Sequence, residues 1–233
     1  MVPFSLTLLQ KIQLTYNVYE LIYSMETPLD ILPGQFLLCE TEKDTSHLLR
    51  AYSVSDVRDT HIHFIIKRLE DGKGGSKAIC DQEIGHIMQA WGPSGAFVLP
   101  TENIPTHIVF IGTGTGFAPL YFQAKKILEE NPRQKISFIF GVRAKKDLFY
   151  NAILQEWTQK YPHFSYQFCL SQGEETSSHY RGRVTNYLQN HPELMDTDLV
   201  LFSICGSPVM VSEVREILAS HGIEKGKILF EQY

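Results

Sequence analysis

The spacing of hydrophobic residues changes at Leu99-Pro100, and that change limits the folds open to this chain. Before it lie the short runs Leu6-Thr7-Leu8-Leu9, Val18-Tyr19-Glu20-Leu21-Ile22-Tyr23, Gln35-Phe36-Leu37-Leu38-Cys39 and Thr60-His61-Ile62-His63-Phe64-Ile65-Ile66-Lys67, with Pro33-Gly34 breaking the chain between two of them. β-branched and aromatic residues suit pleated, half-buried surfaces, and short strands separated by turns predict an antiparallel barrel or sandwich. After the break, His107-Ile108-Val109-Phe110-Ile111 is continuously apolar, as for a strand covered on both faces. A helix is predicted over residues 117–130, ended by Asn131-Pro132. The same alternation recurs: strands over 136–140, 164–170 and 199–205, helices over 147–161, 184–190 and 209–221. Alternating strand and helix predicts a parallel α/β sheet. The domain break falls within residues 98–106, giving domains 1–101 and 102–233. Residues 172–179 read as a polar loop.

A length of 233 residues accommodates two domains of ordinary size, and 43% apolar with 20% charged residues is the composition of a globular protein. The net charge of −5 argues against a nucleic-acid surface. Cys39, Cys80, Cys169 and Cys205 are far apart and form no Cys-x-x-Cys pair, so neither an iron–sulfur cluster nor a structural metal site is expected. Scattered cysteines fit a reducing compartment. Residues 1–10 carry no basic leader pattern, and no run approaches the roughly 20 apolar residues of a membrane span, so a cytoplasmic protein is expected.

Gly112-Thr113-Gly114-Thr115-Gly116 lies just after a buried strand and opens a helix. There, free backbone N–H groups and the helix dipole make an anion site, and glycine lets the backbone approach phosphate oxygens. The spacing departs from G-x-G-x-x-G, because Phe117 stands where the third glycine belongs, and Gly141-Val142-Arg143 closes the second strand without an acidic residue. Gly72-Lys73-Gly74-Gly75-Ser76, followed by a short helical turn, suits either a second phosphate or a hairpin loop.

Five motifs in one order extend this picture: Arg50-Ala51-Tyr52-Ser53, Gly74-Gly75-Ser76, Gly112 through Pro119, Cys205-Gly206-Ser207-Pro208-Val209-Met210, and the terminal Phe230-Glu231-Gln232-Tyr233. The order resembles the ferredoxin–NADP reductase superfamily almost from end to end. The resemblance implies an N-terminal antiparallel β-barrel that binds flavin, followed by a C-terminal parallel α/β domain that binds a nicotinamide nucleotide. It implies that Arg50 pairs with flavin phosphate, that Tyr52 packs on the ring, and that Ser53 hydrogen-bonds near flavin N5. Val54, Ile66 and Lys67 would line the flavin, and Gly74, Gly75 and Ser76 would hold its phosphates. Gly112, Thr113, Gly114, Thr115, Gly116 and Pro119 would take the pyrophosphate of NADH or NADPH, and Arg143 the adenosine end. Cys205, with Gly206, Pro208 and Met210, would close over the nicotinamide. Ser207 replaces a proline of the family pattern and would loosen that turn. Tyr233 would stack on the flavin until displaced, and Glu231 would sit near the hydride path.

Ser53, Cys205, Glu231 and Tyr233 are thus the candidate catalytic residues. The implied activity is hydride transfer from NAD(P)H, with a lean to NADH, onto FAD, FMN being the alternative. Electrons would then pass to a separate ferredoxin, an oxygenase component or a small-molecule acceptor. Reduction of free flavin, or a non-catalytic nucleotide-binding subunit, is the other reading.

Overall fold

The structure is a computed structural model that describes residues 2–43, 46–173, 178–195 and 199–233. Part of the loop expected over 172–179 therefore lies outside the described residues. The chain divides into two compact units, Met1–Val98 and Leu99–Tyr233.

In the first unit, β1 (Phe4–Gln13), β2 (Val18–Met25), β3 (Phe36–Lys43), β4 (Ser46–Arg58), β5 (His61–Lys67) and β6 (Ile87–Ser94) close into a barrel in the order β1-β2-β5-β4-β3-β6. Neighbouring strands are antiparallel, so side chains alternate between the inside and outside of the wall. Leu21 and Val54 both register with Phe64, and Leu37 with Tyr52. These inward side chains, with Leu6, Leu8, Tyr23 and Cys39, form a core largely closed to water. A register shift between Val54 and Asp56 leaves Ser55 as the extra residue of a bulge. Helix α1 (Gly75–Asp81) packs on β3, β4 and β5, so Gly74-Gly75 opens a helix rather than turning a hairpin.

The second unit holds β7 (His107–Thr113), α2 (Phe117–Glu130), β8 (Lys135–Val142), α3 (Asn151–Lys160), β9 (Phe164–Leu170), β10 (His179–Arg181), α4 (Val184–Asn190), β11 (Val200–Gly206), α5 (Pro208–Ser220) and β12 (Ile228–Gln232). The sheet is parallel in the order β10-β9-β8-β7-β11-β12. The chain therefore steps outward from β7 to β10, returns, and continues on the other side with β11. One face buries Val109, Ile111 and Phe202 under α4 and α5. On the other, Phe117 of α2 meets Phe138 and Phe140, and Trp157 of α3 meets Phe164. The helix expected from residue 147 begins only at Asn151, because Lys145–Asp147 forms one 3₁₀ turn and Tyr150 takes φ 60°.

His107 opens β7 at the end of the sheet remote from the strand C-termini. It is 3% exposed; Nε2 lies 3.0 Å from Ser137 Oγ, and Nδ1 has no partner among the described residues. Burial, helped by the charge of Lys135, pushes its pKa down to about 4. A histidine depressed on folding stabilises fully above its unfolded pKa of ~6.5 and loses that contribution as pH falls through the folded value. Urea unfolding between pH 8 and pH 4 is expected to show His107→Gln sparing a loss of about 3 kcal/mol that the parent suffers. Parallel pH profiles for the two proteins would refute this.

Candidate functional site

The carboxyl ends of β7 and β11 lie side by side where the strand order reverses, the position at which open α/β sheets bind ligands. Gly112 and Cys205 are register partners, so two glycine-containing turns leave the sheet together. Their main chains touch. A Cβ at Gly116 would overlap the Cys205 carbonyl, and one at Gly206 would overlap Thr113 Oγ1 and stand 2.7 Å from Met210 Cε. Gly112 is hemmed in likewise, by Leu120 Cδ1 at 2.6 Å. Gly114, by contrast, has φ 60° and nothing within 4 Å of where a Cβ would point.

Two helices start at this place, and they start differently. α2 has no side-chain cap and no acidic residue in its first turn, but a single 3₁₀ turn, Gly114–Gly116, leads into it and the Phe117 amide donates to the Gly114 carbonyl, so the main-chain donors left for an anion are those of the glycine turn before Phe117. α5 is closed off: Pro208 opens it, and Ser207 Oγ accepts from Met210 N at 3.4 Å. Ser207, with φ −63° and ψ 145°, therefore holds the turn that its replacement of proline was expected to loosen. Phe117 is fully buried, with its ring 4.9–5.6 Å from those of Tyr121, Phe138, Phe140, Phe149 and Tyr150. A large ring, where the dinucleotide fingerprint has glycine, here fills the space between helix and sheet. Pro119 is buried in the first turn behind it.

Cys205 is fully buried, and burial raises its thiol pKa, so it is a neutral thiol at physiological pH. Cys205 registers with Glu231 on β12, and the Tyr233 amide donates to the Gly206 carbonyl at 3.4 Å. The Tyr233 side chain lies beside those of Cys205 and Thr115, although the residue as a whole is 55% exposed. Desolvation of its hydroxyl raises that pKa as well. The Tyr233 main chain thus joins the end of β12 to the thiol turn. Arg143, at the end just past β8, is exposed, with Nε 3.7 Å from Asp147 Oδ2.

In the first unit, Arg50, Tyr52, Ser53 and Val54 lie on β4, with Ile66 and Lys67 at the end of β5. A Cβ at Gly75 would stand 2.6 Å from Arg50 Cγ, so the arginine stem lies across the start of α1. Gly74 has φ 94°, and Ser76 Oγ accepts from the Leu69 amide at 3.4 Å. The Tyr52 ring meets Phe64 edge-on at 6.5 Å, and burial raises its phenol pKa. Val54 and Ile66 are buried, leaving only their main chain to offer a ligand. Ser53 belongs to this unit, whereas Cys205, Glu231 and Tyr233 belong to the other. No local motif announces Lys11, Tyr23 and Arg68, which hold the end of α1 through contacts remote in sequence, Arg68 on Asp81 of the helix itself.

Comparison with known proteins divides the chain in the same way. A model of the oxidoreductase FAD-binding domain matches residues 5–99, and one of the oxidoreductase NAD-binding domain matches residues 110–216. The ferredoxin NADP+ reductase of Neisseria gonorrhoeae, solved with bound FAD and NADP, superposes with a TM-score of 0.83 at 21% identity, over 99% of this chain and 98% of that one. The chain belongs to the ferredoxin–NADP reductase superfamily. Superfamily relatives include the electron transfer component of toluate 1,2-dioxygenase from Pseudomonas putida, 29% identical over 88% of this chain and 59% of the relative. The reductase component of propane 2-monooxygenase from Rhodococcus jostii is 27% identical over 86% and 55%. The chain thus spans less than two thirds of either relative. Among the described residues no cluster of three or more metal-ligating side chains occurs, and no helix is long and apolar enough to cross a membrane.

The glycines separate two kinds of constraint. Gly116→Ala must push the Cys205 peptide aside and should lower stability by roughly 1–3 kcal/mol. Gly114→Ala has room and should lose only about 1 kcal/mol to its left-handed backbone. Denaturant melts that rank Gly114→Ala as the more damaging change would contradict this assignment.

Proposed function

We propose that the chain is a flavin-dependent oxidoreductase, which takes a hydride from NADH or NADPH onto FAD and passes the electrons to a separate acceptor. A ferredoxin, an oxygenase component or a small molecule would serve as that acceptor. In this reading residues 1–101 hold the flavin and residues 102–233 the nicotinamide nucleotide. The observation that carries it is the Gly114–Gly116 turn that leads into α2, open at Gly114, at the β7–β11 reversal. A nucleotide pyrophosphate needs main-chain donors and room to approach them, and the open side of Gly114 offers that room.

When bound, FAD supplies the hydride-accepting and electron-relaying chemistry. The residues of the first unit fit it: Arg50 lies against a glycine that leaves its stem room, and its guanidinium suits bidentate binding of phosphate. Gly74, Gly75 and Ser76 border the same phosphate site. Tyr52 would support the ring, Ser53 would offer it a hydroxyl, and Val54, Ile66 and Lys67 would border it. In the second unit Gly112, Thr113, Gly114, Thr115, Gly116 and Pro119 form the pyrophosphate turn, and Arg143 meets the adenosine end. Asp147 beside Arg143 offsets its charge, which favours NADH over a 2′-phosphate.

Cys205, Gly206, Pro208 and Met210 shape the nicotinamide pocket. A thiol kept protonated by burial packs and orients without nucleophilic chemistry. Tyr233 would cover the Cys205 and Thr115 side chains until the nucleotide arrives, and Glu231 would border the pocket. Orientation of donor and acceptor supplies most of the rate.

Anaerobic titration of the purified protein with NADH and with NADPH, followed at the flavin band near ~450 nm, tests this. Bleaching is expected, faster with NADH. Cys205→Ser should leave nucleotide affinity intact and slow the reduction roughly tenfold, and the parent's own rate should show no thiolate inflection between about pH 6 and pH 9. A colourless protein that takes up neither FAD nor FMN would sink the proposal.

A further inference from the structure

Helix α1 is fastened at its far end by three separate parts of the barrel unit. Lys11 on β1 donates from Nζ to the carbonyls of Cys80 and Gln82, at 3.1 and 3.0 Å. Tyr23 on β2 donates its hydroxyl to Gln82 Oε1 at 2.6 Å. Arg68, just beyond β5, holds Asp81 as a fork, Nε to Oδ1 at 2.6 Å and Nη2 to Oδ2 at 2.9 Å. Arg68 also pairs with Glu70, whose Oε2 lies 3.0 Å from Lys77 Nζ, so loop and helix are joined by alternating charges.

The near end of the same helix is built in the opposite way. It has no side-chain cap, follows Gly74 at φ 94°, and seats Gly75 on the stem of Arg50. A helix of seven residues that buries only Gly75, Ile79 and Cys80 has little packing of its own to set its position. The anchors at Cys80, Asp81 and Gln82 therefore decide where Gly75 stands, and Gly75 bounds the path of the Arg50 stem, whose Nη1 donates to the Leu49 carbonyl at 2.9 Å. A fork between guanidinium and carboxylate is directional, and the lysine on two carbonyls fixes the axial position as well.

We propose that Lys11 and the Arg68–Asp81 pair are positioning residues for the flavin phosphate: they seat α1 so that Gly75 holds the Arg50 guanidinium in place to bind phosphate. They act without touching the flavin, and the proposal rests on the flavin reading above. A purely structural role would weaken every flavin alike. A role in placing Arg50 acts only on ligands that carry phosphate.

The test compares affinities of riboflavin, FMN and FAD for the full chain, as the parent and as Lys11→Met, Asp81→Asn and Lys11→Arg. Lys11→Met and Asp81→Asn are expected to weaken FMN and FAD about tenfold or more, the scale of a lost charged hydrogen bond, while riboflavin shifts less than about twofold. Lys11→Arg, which keeps the charge and donors, should recover most of the loss. Equal weakening of all three flavins, or weakening of none, would overturn the proposal. A parent that binds no flavin would instead overturn the flavin reading itself, and the proposal with it.

Discussion

The second unit depends on the approach of two main-chain turns closer than any side chain permits. Gly116 lies on the Cys205 carbonyl, Gly206 on Thr113, and Gly112 under Leu120. The parallel register of Gly112 with Cys205 brings the turns together, and the reversal of strand order leaves the space above them uncovered by a crossover helix. The phosphate turn and the thiol turn therefore share one rigid base. Precision of this kind comes from strands and their register rather than from loops.

The two units prepare for phosphate by different physics. In the second, a glycine turn open at Gly114 leads into a 14-residue helix, and the neighbouring helix is closed by its own serine and proline. In the first, a side-chain cation is laid across a glycine at the start of a short helix. Main-chain dipoles need the accuracy of the sheet, whereas a guanidinium on a long stem needs something to lie against. That difference explains why the barrel spends so many polar contacts on α1.

Much of this was legible in the residues. Continuous apolar runs mark strands buried on both faces, and β7, α2, β9 and α4 fall where periodicity puts them. Glycines after a buried strand mark the turn at residues 112–116 because only a missing side chain explains three in five. Other features were hidden. Tyr150 adopts a left-handed backbone that no local pattern announces, so α3 starts late. Ser207 reads as a lost proline until its hydroxyl is seen on the Met210 amide. Phe117 breaks the dinucleotide spacing because its ring is needed by Phe138, Phe140 and Phe149, which are distant in sequence. Lys11 and Arg68 act through contacts 69 and 13 residues away, beyond any local motif.

All four cysteines are free and buried, and burial raises the pKa of each. Peroxide attacks thiolate, not thiol, and does so only where it can reach sulfur. Folding thus keeps every cysteine sulfur both protonated and sheltered, including the one beside the glycine turn. The ageing of this protein in air is consequently governed by how often its units open, and whatever tightens the fold also protects its chemistry.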